Sequence, residues 1–143
     1  MMMKNEIEKL KNSPKIKKQP EFLLQKQICQ YLKNQYPKVI FLSDTIAIVK
    51  LTAPQALRNK KIQKSNFKIP DLLILEPKKE FHGLFIELKK ETPFKKNGEI
   101  KASQNDHLKK QLKSIEDLKN KGYNAQFSWS FEMTKKIIDN YLN

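Results

Sequence analysis

The chain has 143 residues, 38% of them hydrophobic, and 29 lysines and arginines against 15 acids give a formal net charge of +14. This length suits one domain with one core. No apolar run approaches the ~20 residues of a membrane span, and the lysine-rich N-terminus lacks the apolar core of a secretory signal. We therefore expect a soluble, cytoplasmic protein without membrane association. Cys29 is the only cysteine, which excludes an intrachain disulfide and a cysteine-based zinc site.

The positive charge predicts a polyanionic partner, usually nucleic acid. Nearly all of this charge is lysine, with Arg58 the single arginine. Lysine meets phosphate as a point charge, whereas bidentate reading of guanine favours arginine. We therefore expect binding by backbone or shape. The alternative is that the lysines only keep the protein soluble. Three widely separated glycines form no phosphate-cradling loop, which argues against an NTPase.

Residues 1–19 are lysine-rich and predict a basic flexible arm, which either grips phosphates or only adds charge, and residues 20–143 then form the folded domain. Pro20 suits the first turn of a helix that continues to about Lys33, with Leu24 and Ile28 on its inner stripe. Glu21 lies at the N-terminal end of that stripe. Its carboxylate either leans toward the sheet or complements the helix dipole.

Residues 39–42 predict the first strand, and residues 45–51 are apolar enough for another extended segment. Thr52 is typical of an N-cap, with a helix following it. Four basic residues lie along or just beyond this helix and directly upstream of Asp71, so we expect them to grip a nucleic-acid backbone. Ordinary solvated side chains are the competing interpretation. The four are Arg58, Lys60, Lys61 and Lys64.

Two short apolar runs with charged ends are the most informative part of the sequence. Asp71 opens the run 72–75, and the run 84–86 leads into Glu87, Leu88 and Lys89. The connector between them is too short for a crossover helix, so the runs predict an antiparallel hairpin with Asp71 beside Glu87. Because side chains alternate along a strand, Glu87 and Lys89 share one face.

Two carboxylates this close repel each other by roughly 4 kcal/mol at about 4 Å and an effective dielectric near 20. Lys89 offsets part of that repulsion, and a hard divalent cation with oxygen ligands would offset the rest. The pattern therefore favours a metal-dependent phosphodiesterase site, in which the lysine orients or deprotonates the nucleophile. A partly buried salt bridge at the sheet end is the alternative.

The remaining third of the chain predicts a polar loop, a helix, a strand and a helix. Ser103 is typical of an N-cap for a long helix that ends at Gly122, and its inner stripe consists of Leu108, Leu112, Ile115 and Leu118. Residues 124–129 alternate as a strand, and Ser130 caps the terminal helix. His107, near the start of the long helix, is more typical of a surface or packing residue than of a proton relay.

These residues resemble the signature of the PD-(D/E)XK nuclease superfamily, and their wider order is similar to its small VRR-NUC branch. The likeness runs from about Pro20 to the C-terminus and includes Pro70-Asp71, Glu87-Leu88-Lys89, Gln104 and Gly122-Tyr123. It implies an α/β fold with a restriction-endonuclease-like core, in which helices flank a mixed central sheet in αβββαβ order. One departure is Asn66–Ile69, where many members carry a glycine-rich stretch.

The resemblance also assigns roles to individual residues. It implies that the carboxylates and a main-chain carbonyl hold Mg²⁺ or Mn²⁺, that the lysine serves the attacking water, and that the glutamine contacts a metal-bound water or a phosphate. The implied metal ligands are Glu21, Asp71, Glu87 and the carbonyl of Leu88. The implied catalytic residues are Asp71, Glu87, Lys89 and Gln104.

The function implied is that of a magnesium-dependent endodeoxyribonuclease that hydrolyses phosphodiester bonds and selects DNA by structure. By the same resemblance, a homodimer acting on branched DNA, such as a four-way junction, is expected. A competing hypothesis is a nucleic-acid-binding module that keeps the nuclease fold and does not cleave. Without the resemblance, Gln104 would be interpreted as a surface residue and Glu21 as a dipole partner.

Overall fold

The computed structural model describes residues 20–44, 50–101 and 105–143. The predicted basic arm, the predicted N-cap Ser103, Gln104 and residues 45–49 lie outside these ranges. Within them the chain forms four helices and four strands. In chain order these are α1 (Pro20–Gln35), β1 (Phe41–Ser43), α2 (Ala53–Ile62), β2 (Leu72–Ile74), β3 (Leu84–Leu88), α3 (Asn105–Asn120), β4 (Asn124–Ser128) and α4 (Phe131–Leu142).

The four strands form one mixed sheet in the order β1-β2-β3-β4. The pairs β1–β2 and β2–β3 are antiparallel, and in the second pair Leu72 lies opposite Ile86 and Leu73 opposite Phe85. The predicted hairpin is therefore confirmed. Strand β4 runs parallel to β3 because α3 carries the chain back across the sheet between them.

Helices cover both faces of the sheet, which confirms the predicted α/β architecture. One face packs against α1 and α4, in a core that includes Leu24, Ile28, Leu72, Ile86, Leu88 and Ile138. The other face packs against α3, in a core that includes Leu73, Phe85, Leu108, Ile115 and Phe127. The predicted αβββαβ order is present, with α2 inserted between β1 and β2 and α4 added after β4.

The boundaries of several elements differ from the sequence-based expectation. Strand β1 begins at Phe41 rather than Val39, because the Val39 N–H closes a turn onto the Tyr36 carbonyl after α1. Lys50 and Leu51 lie in no strand and lead into α2. Strand β4 ends one residue early, at Ser128.

The predicted caps form as expected. The Thr52 side chain accepts the Gln55 N–H, and the Gln55 side chain accepts the Thr52 N–H in return, which makes a capping box. Ser130 accepts the Met133 N–H at the start of α4. Gly122 follows α3 with φ of +92°, a conformation that glycine adopts without strain. In the described part of the chain, no helix is both long enough and apolar enough to cross a membrane.

Candidate functional site

A pair of carboxyl groups lies at one end of the two central strands of the sheet. Asp71 immediately precedes β2 and Glu87 is in β3, so the antiparallel pairing of these strands brings the two side chains together. The hydrogen bond between the two carboxyl groups lowers the pKa of Asp71 and raises the pKa of Glu87. Oδ2 of Asp71 also accepts the main-chain N–H of Leu88 over 2.8 Å. Asp71 is thus held by the strand that carries Glu87.

Burial dominates the electrostatics of this pair. Glu87 is only 4% exposed, and desolvation followed by the negative charge of Asp71 raises the pKa of Glu87 to about 9. Desolvation also raises the pKa of Asp71, while the Leu88 N–H and the Glu87 hydrogen bond oppose that shift. Without a cation the pair therefore keeps one proton at neutral pH.

Lys89 lies on the same face as Glu87 and is 7% exposed. Its main-chain N–H donates to the Ser128 carbonyl, which continues the β3–β4 ladder by one residue. Its charge lowers the pKa of Glu87, although less than burial and Asp71 raise it. The structure brings the two carboxyl groups together as predicted, while Lys89 acts on Glu87 through its charge and forms no ion pair with it among the described residues.

Glu21 lies at the rim of the site. It is exposed in the first turn of α1, and its charge contributes to raising the pKa of Asp71. With Lys89 and Lys101 it lines a small cleft of about 10 Å³. Among the described residues, no three His, Cys, Asp or Glu side chains are arranged to hold a metal ion. A cation at Asp71 and Glu87 would therefore depend on main-chain oxygen and water as well.

The main chain of Leu88 supplies one such oxygen. In a β-strand the N–H and C=O of one residue point to the same side. Because the Leu88 N–H points at Asp71, the Leu88 carbonyl also lies on the Asp71 side of β3. This is the arrangement that the predicted ligand role of the Leu88 carbonyl requires.

Gln111 of α3 contacts the carboxyl pair and was not predicted from the sequence. Its side chain is 3% exposed, and Nε2 donates to Oε1 of Glu87 over 2.6 Å. The side-chain oxygen of Gln111 is buried and has no hydrogen-bond donor in the described part of the protein. Residue 111 shares a helix face with Leu108 and Ile115. A prediction of the inner face of α3 that included polar residues would therefore have named Gln111.

A second unpredicted glutamine fixes the chain around Asp71. Nε2 of Gln25, on α1, donates to Oγ of Ser43 over 2.6 Å and to the carbonyl of Asp44 over 2.9 Å. The Asp44 N–H in turn donates to the Asp71 carbonyl over 2.8 Å. These bonds tie the end of β1, the start of β2 and helix α1 together beside the site.

The predicted basic cluster lies on α2 and just after it, away from the buried core. Arg58, Lys60, Lys61 and Lys64 are all exposed, and α2 has no buried residue. These side chains are therefore free to meet a ligand, although no contact joins them to the carboxyl pair in the described ranges. Gln104 lies outside those ranges, so its predicted role stays a prediction.

By sequence, no protein-family model and no curated protein matches the chain. By structure, it is similar to a solved protein described as a "VRR_NUC domain protein", with a TM-score of 0.60 and 23% sequence identity over 89% of this chain and 91% of the other. The fold is therefore VRR-NUC-like. The agreement spans nearly all of both chains.

Proposed function

We propose that this protein is a Mg²⁺- or Mn²⁺-dependent endonuclease that hydrolyses phosphodiester bonds of DNA. The observation that carries the proposal is the buried Asp71–Glu87 pair, with Lys89 nearby in the chain, at the ends of the two central strands of a VRR-NUC-like sheet. Burying two carboxyl groups together costs stability unless a cation is bound there, so this arrangement favours a functional site over a structural one. The net charge of +14 supports a polyanionic substrate.

The donor atoms fit a hard divalent cation. Asp71, Glu87 and the Leu88 carbonyl are all oxygen ligands, and Mg²⁺ commonly takes one or two carboxylates with water completing its shell. The buried, unpartnered side-chain oxygen of Gln111 is an acceptor that a cation-bound water would satisfy. When bound, the cation would neutralise charge developing on the phosphodiester and lower the pKa of its water. Glu21 at the rim would add a ligand through water.

Side chains of the protein would orient the attacking water and the carboxyl groups. Lys89 is held by the β3–β4 ladder on the same face as Glu87, a position from which its ammonium group would orient the attacking water. Gln111 would keep the Glu87 carboxylate oriented through its 2.6 Å hydrogen bond. Asp71 would be oriented by the Leu88 N–H. We assign the predicted phosphate or water contact to Gln104 as part of the same proposal.

The substrate is proposed to be DNA with branched structure, gripped by the basic surface of α2. Lysines on an exposed helix recognise phosphate spacing and groove shape rather than base sequence. A homodimer would present two active sites, one from each copy, to a symmetric branched substrate. Equilibrium sedimentation with and without a four-way junction measures this directly, and a strict monomer in both conditions would contradict it.

The test is a cleavage panel of supercoiled, linear and branched DNA with Mg²⁺, Mn²⁺ or EDTA. We expect metal-dependent nicking by the wild type, none by Asp71→Asn, and a loss of about 10²–10⁴-fold in Lys89→Met. Asp106→Asn and Lys96→Met, which change exposed side chains outside the carboxyl pair, are the controls and should cleave normally. Thermal melts of all variants separate lost chemistry from lost folding.

A non-cleaving DNA-binding module is the competing function, and the basic surface is the observation that favours it. Binding that survives in Asp71→Asn and Lys89→Met, with no nicking of any DNA by the wild type, would establish the module. No salt-dependent DNA binding at all would exclude both functions.

A further inference from the structure

One face of α3 holds a second basic group beside the carboxyl pair. Residues 107, 111 and 114 lie four and three positions apart and so share a helix face. Gln111 donates to Glu87, while Oγ of Ser114 accepts the main-chain N–H of Lys68 over 2.9 Å. His107, at the other end of this face, lies against the side chain of Lys68. The same stripe therefore positions both the carboxyl pair and Lys68.

The side chain of Lys68 has a defined position. Its Nζ lies 2.7 Å from Nε2 and 3.3 Å from Nδ1 of His107, and the residue is half-buried. An ammonium group only donates, so a ring nitrogen of His107 is the acceptor and the ring is neutral. Partial desolvation of the ring, then the charges of Lys68 and Lys89, lower the pKa of His107, which agrees with a neutral ring.

Lys68 lies near the carboxyl pair and forms no ion pair with it among the described residues. Its charge lowers the pKa of both Asp71 and Glu87, so it lies within electrostatic range of the site. Salt bridges in the described part of the chain are confined to other lysines, Lys113 and Lys135. An ammonium group has three donors, and one is used by His107. Two N–H groups of Lys68 therefore remain for an anion.

We propose that Lys68, oriented by His107, binds a backbone phosphate of the nucleic acid at the Asp71–Glu87 pair. Lys68 is the phosphate-binding group and His107 is its positioning residue. Lys89 is 7% exposed and lies beside Glu87, so it is placed for the attacking water, whereas the less buried Lys68 is placed for a substrate oxygen. The inference rests on the proposed function for its substrate class, because a phosphodiester is the anion expected here.

The first experiment compares Lys68→Met with Lys109→Met, which removes an exposed charge from the opposite face of α3. Anisotropy of a labelled DNA duplex in EDTA measures binding apart from cleavage. We expect Lys68→Met to raise Kd about tenfold, the loss of one charged hydrogen bond, and to reduce the log–log salt slope by about 1. Lys109→Met should change Kd less than about twofold, and Lys68→Arg should retain most of the affinity.

Steady-state cleavage with Mg²⁺ gives a second readout. A contact to phosphate that is equally strong in the ground and transition states affects KM and leaves kcat unchanged. Lys68→Met should therefore raise KM and leave kcat unchanged. Lys68→Met and Lys109→Met that match in Kd, salt slope and KM would overturn the inference. Thermal melts confirm that both variants fold.

A double-mutant cycle tests the role of His107. His107→Leu removes the acceptor and should raise KM about threefold in the wild-type background and not at all in Lys68→Met. His107→Gln, which offers a side-chain oxygen to Lys68, should restore the wild-type value. An equal effect of His107→Leu in both backgrounds would overturn the positioning role.

The binding and cleavage arms separate this inference from the proposed function. A wild type that binds DNA and never nicks it overturns the nuclease, while the Kd comparison still decides the role of Lys68. A wild type that nicks DNA while Lys68→Met behaves as Lys109→Met overturns the inference alone. A wild type that neither binds nor nicks DNA overturns both.

Discussion

Gln111 donates a 2.6 Å hydrogen bond to Glu87, and both side chains are almost fully removed from solvent. This contact joins α3 to the strand that carries the carboxyl pair. Within the described structure, the Glu87 carboxyl group has one other hydrogen bond, to Asp71. The contact with Gln111 therefore fixes the orientation of Glu87. The metal-dependent and pH-dependent behaviour of the protein should therefore be controlled by these few groups.

Millimolar Mg²⁺ should raise the melting temperature of the wild type. Binding to the folded state alone contributes about 2.7 kcal/mol at 100 times Kd, and each kcal/mol moves the Tm of a domain of this size by roughly 2–4 °C. Glu87→Gln removes a charged ligand and should show no shift. Scanning fluorimetry with Mg²⁺ and with EDTA makes the measurement, and Glu80→Gln, an exposed acid, is the control. Identical melting curves for the wild type in Mg²⁺ and EDTA would contradict a metal site.

The stability of the metal-free protein should fall as the pH rises. Burial raises the pKa of Glu87 from 4.5 to about 9, so between these values the folded state binds more protons than the unfolded state. The free energy of unfolding then decreases with increasing pH across that window, and it is highest below the unfolded value. Denaturant titrations in EDTA between about pH 5.5 and 8.5 measure the slope.

Glu87→Gln should flatten that slope, because the variant has no proton to lose at this position. Glu80→Gln should keep the wild-type slope. The affinity for Mg²⁺ should rise with pH over the same window, since the cation displaces the proton shared by Asp71 and Glu87. A slope that survives in Glu87→Gln would show that another group controls the pH dependence.

Gln111→Leu should impair the site more than the fold. The substitution removes the donor to the neutral Glu87 carboxyl group, which costs about 1–3 kcal/mol, and it also removes a buried oxygen without a donor, which relieves about 1–3 kcal/mol. We therefore expect unfolding free energies within about 1 kcal/mol of the wild type, with Mg²⁺ affinity and cleavage reduced about tenfold. Leu112→Ala on the same helix should show the reverse pattern, losing stability and retaining metal binding.

Neutralising the basic cluster of α2 should weaken DNA binding without unfolding the protein. The four side chains are exposed and α2 has no buried residue, so their replacement by glutamine leaves the core unchanged. If all four contact phosphates, the log–log salt slope falls by up to about 4. The matched control replaces four exposed lysines elsewhere, Lys33, Lys38, Lys119 and Lys136. Equal losses in both quadruple variants would mean that net charge alone drives binding.

Much of the fold could be predicted from local patterns. The hairpin of β2 and β3, the caps Thr52 and Ser130 and the end of α3 at Gly122 depend on interactions among residues close in the chain. Alternation and capping act over such short distances, so they are readable from residue order. The proximity of Asp71 and Glu87 followed from the hairpin for the same reason.

Other features depend on how distant segments pack. Gln111 meets Glu87 across 24 positions, and Lys68 meets His107 across 39, so both contacts depend on how far α3 is rotated against the sheet. Counting apolar residues along α3 omitted the polar residues Gln111 and Ser114, which its inner face also carries. Residue order therefore placed the carboxyl pair, whereas the packing of α3 on the sheet determined what surrounds it, because helix rotation is set by the whole core.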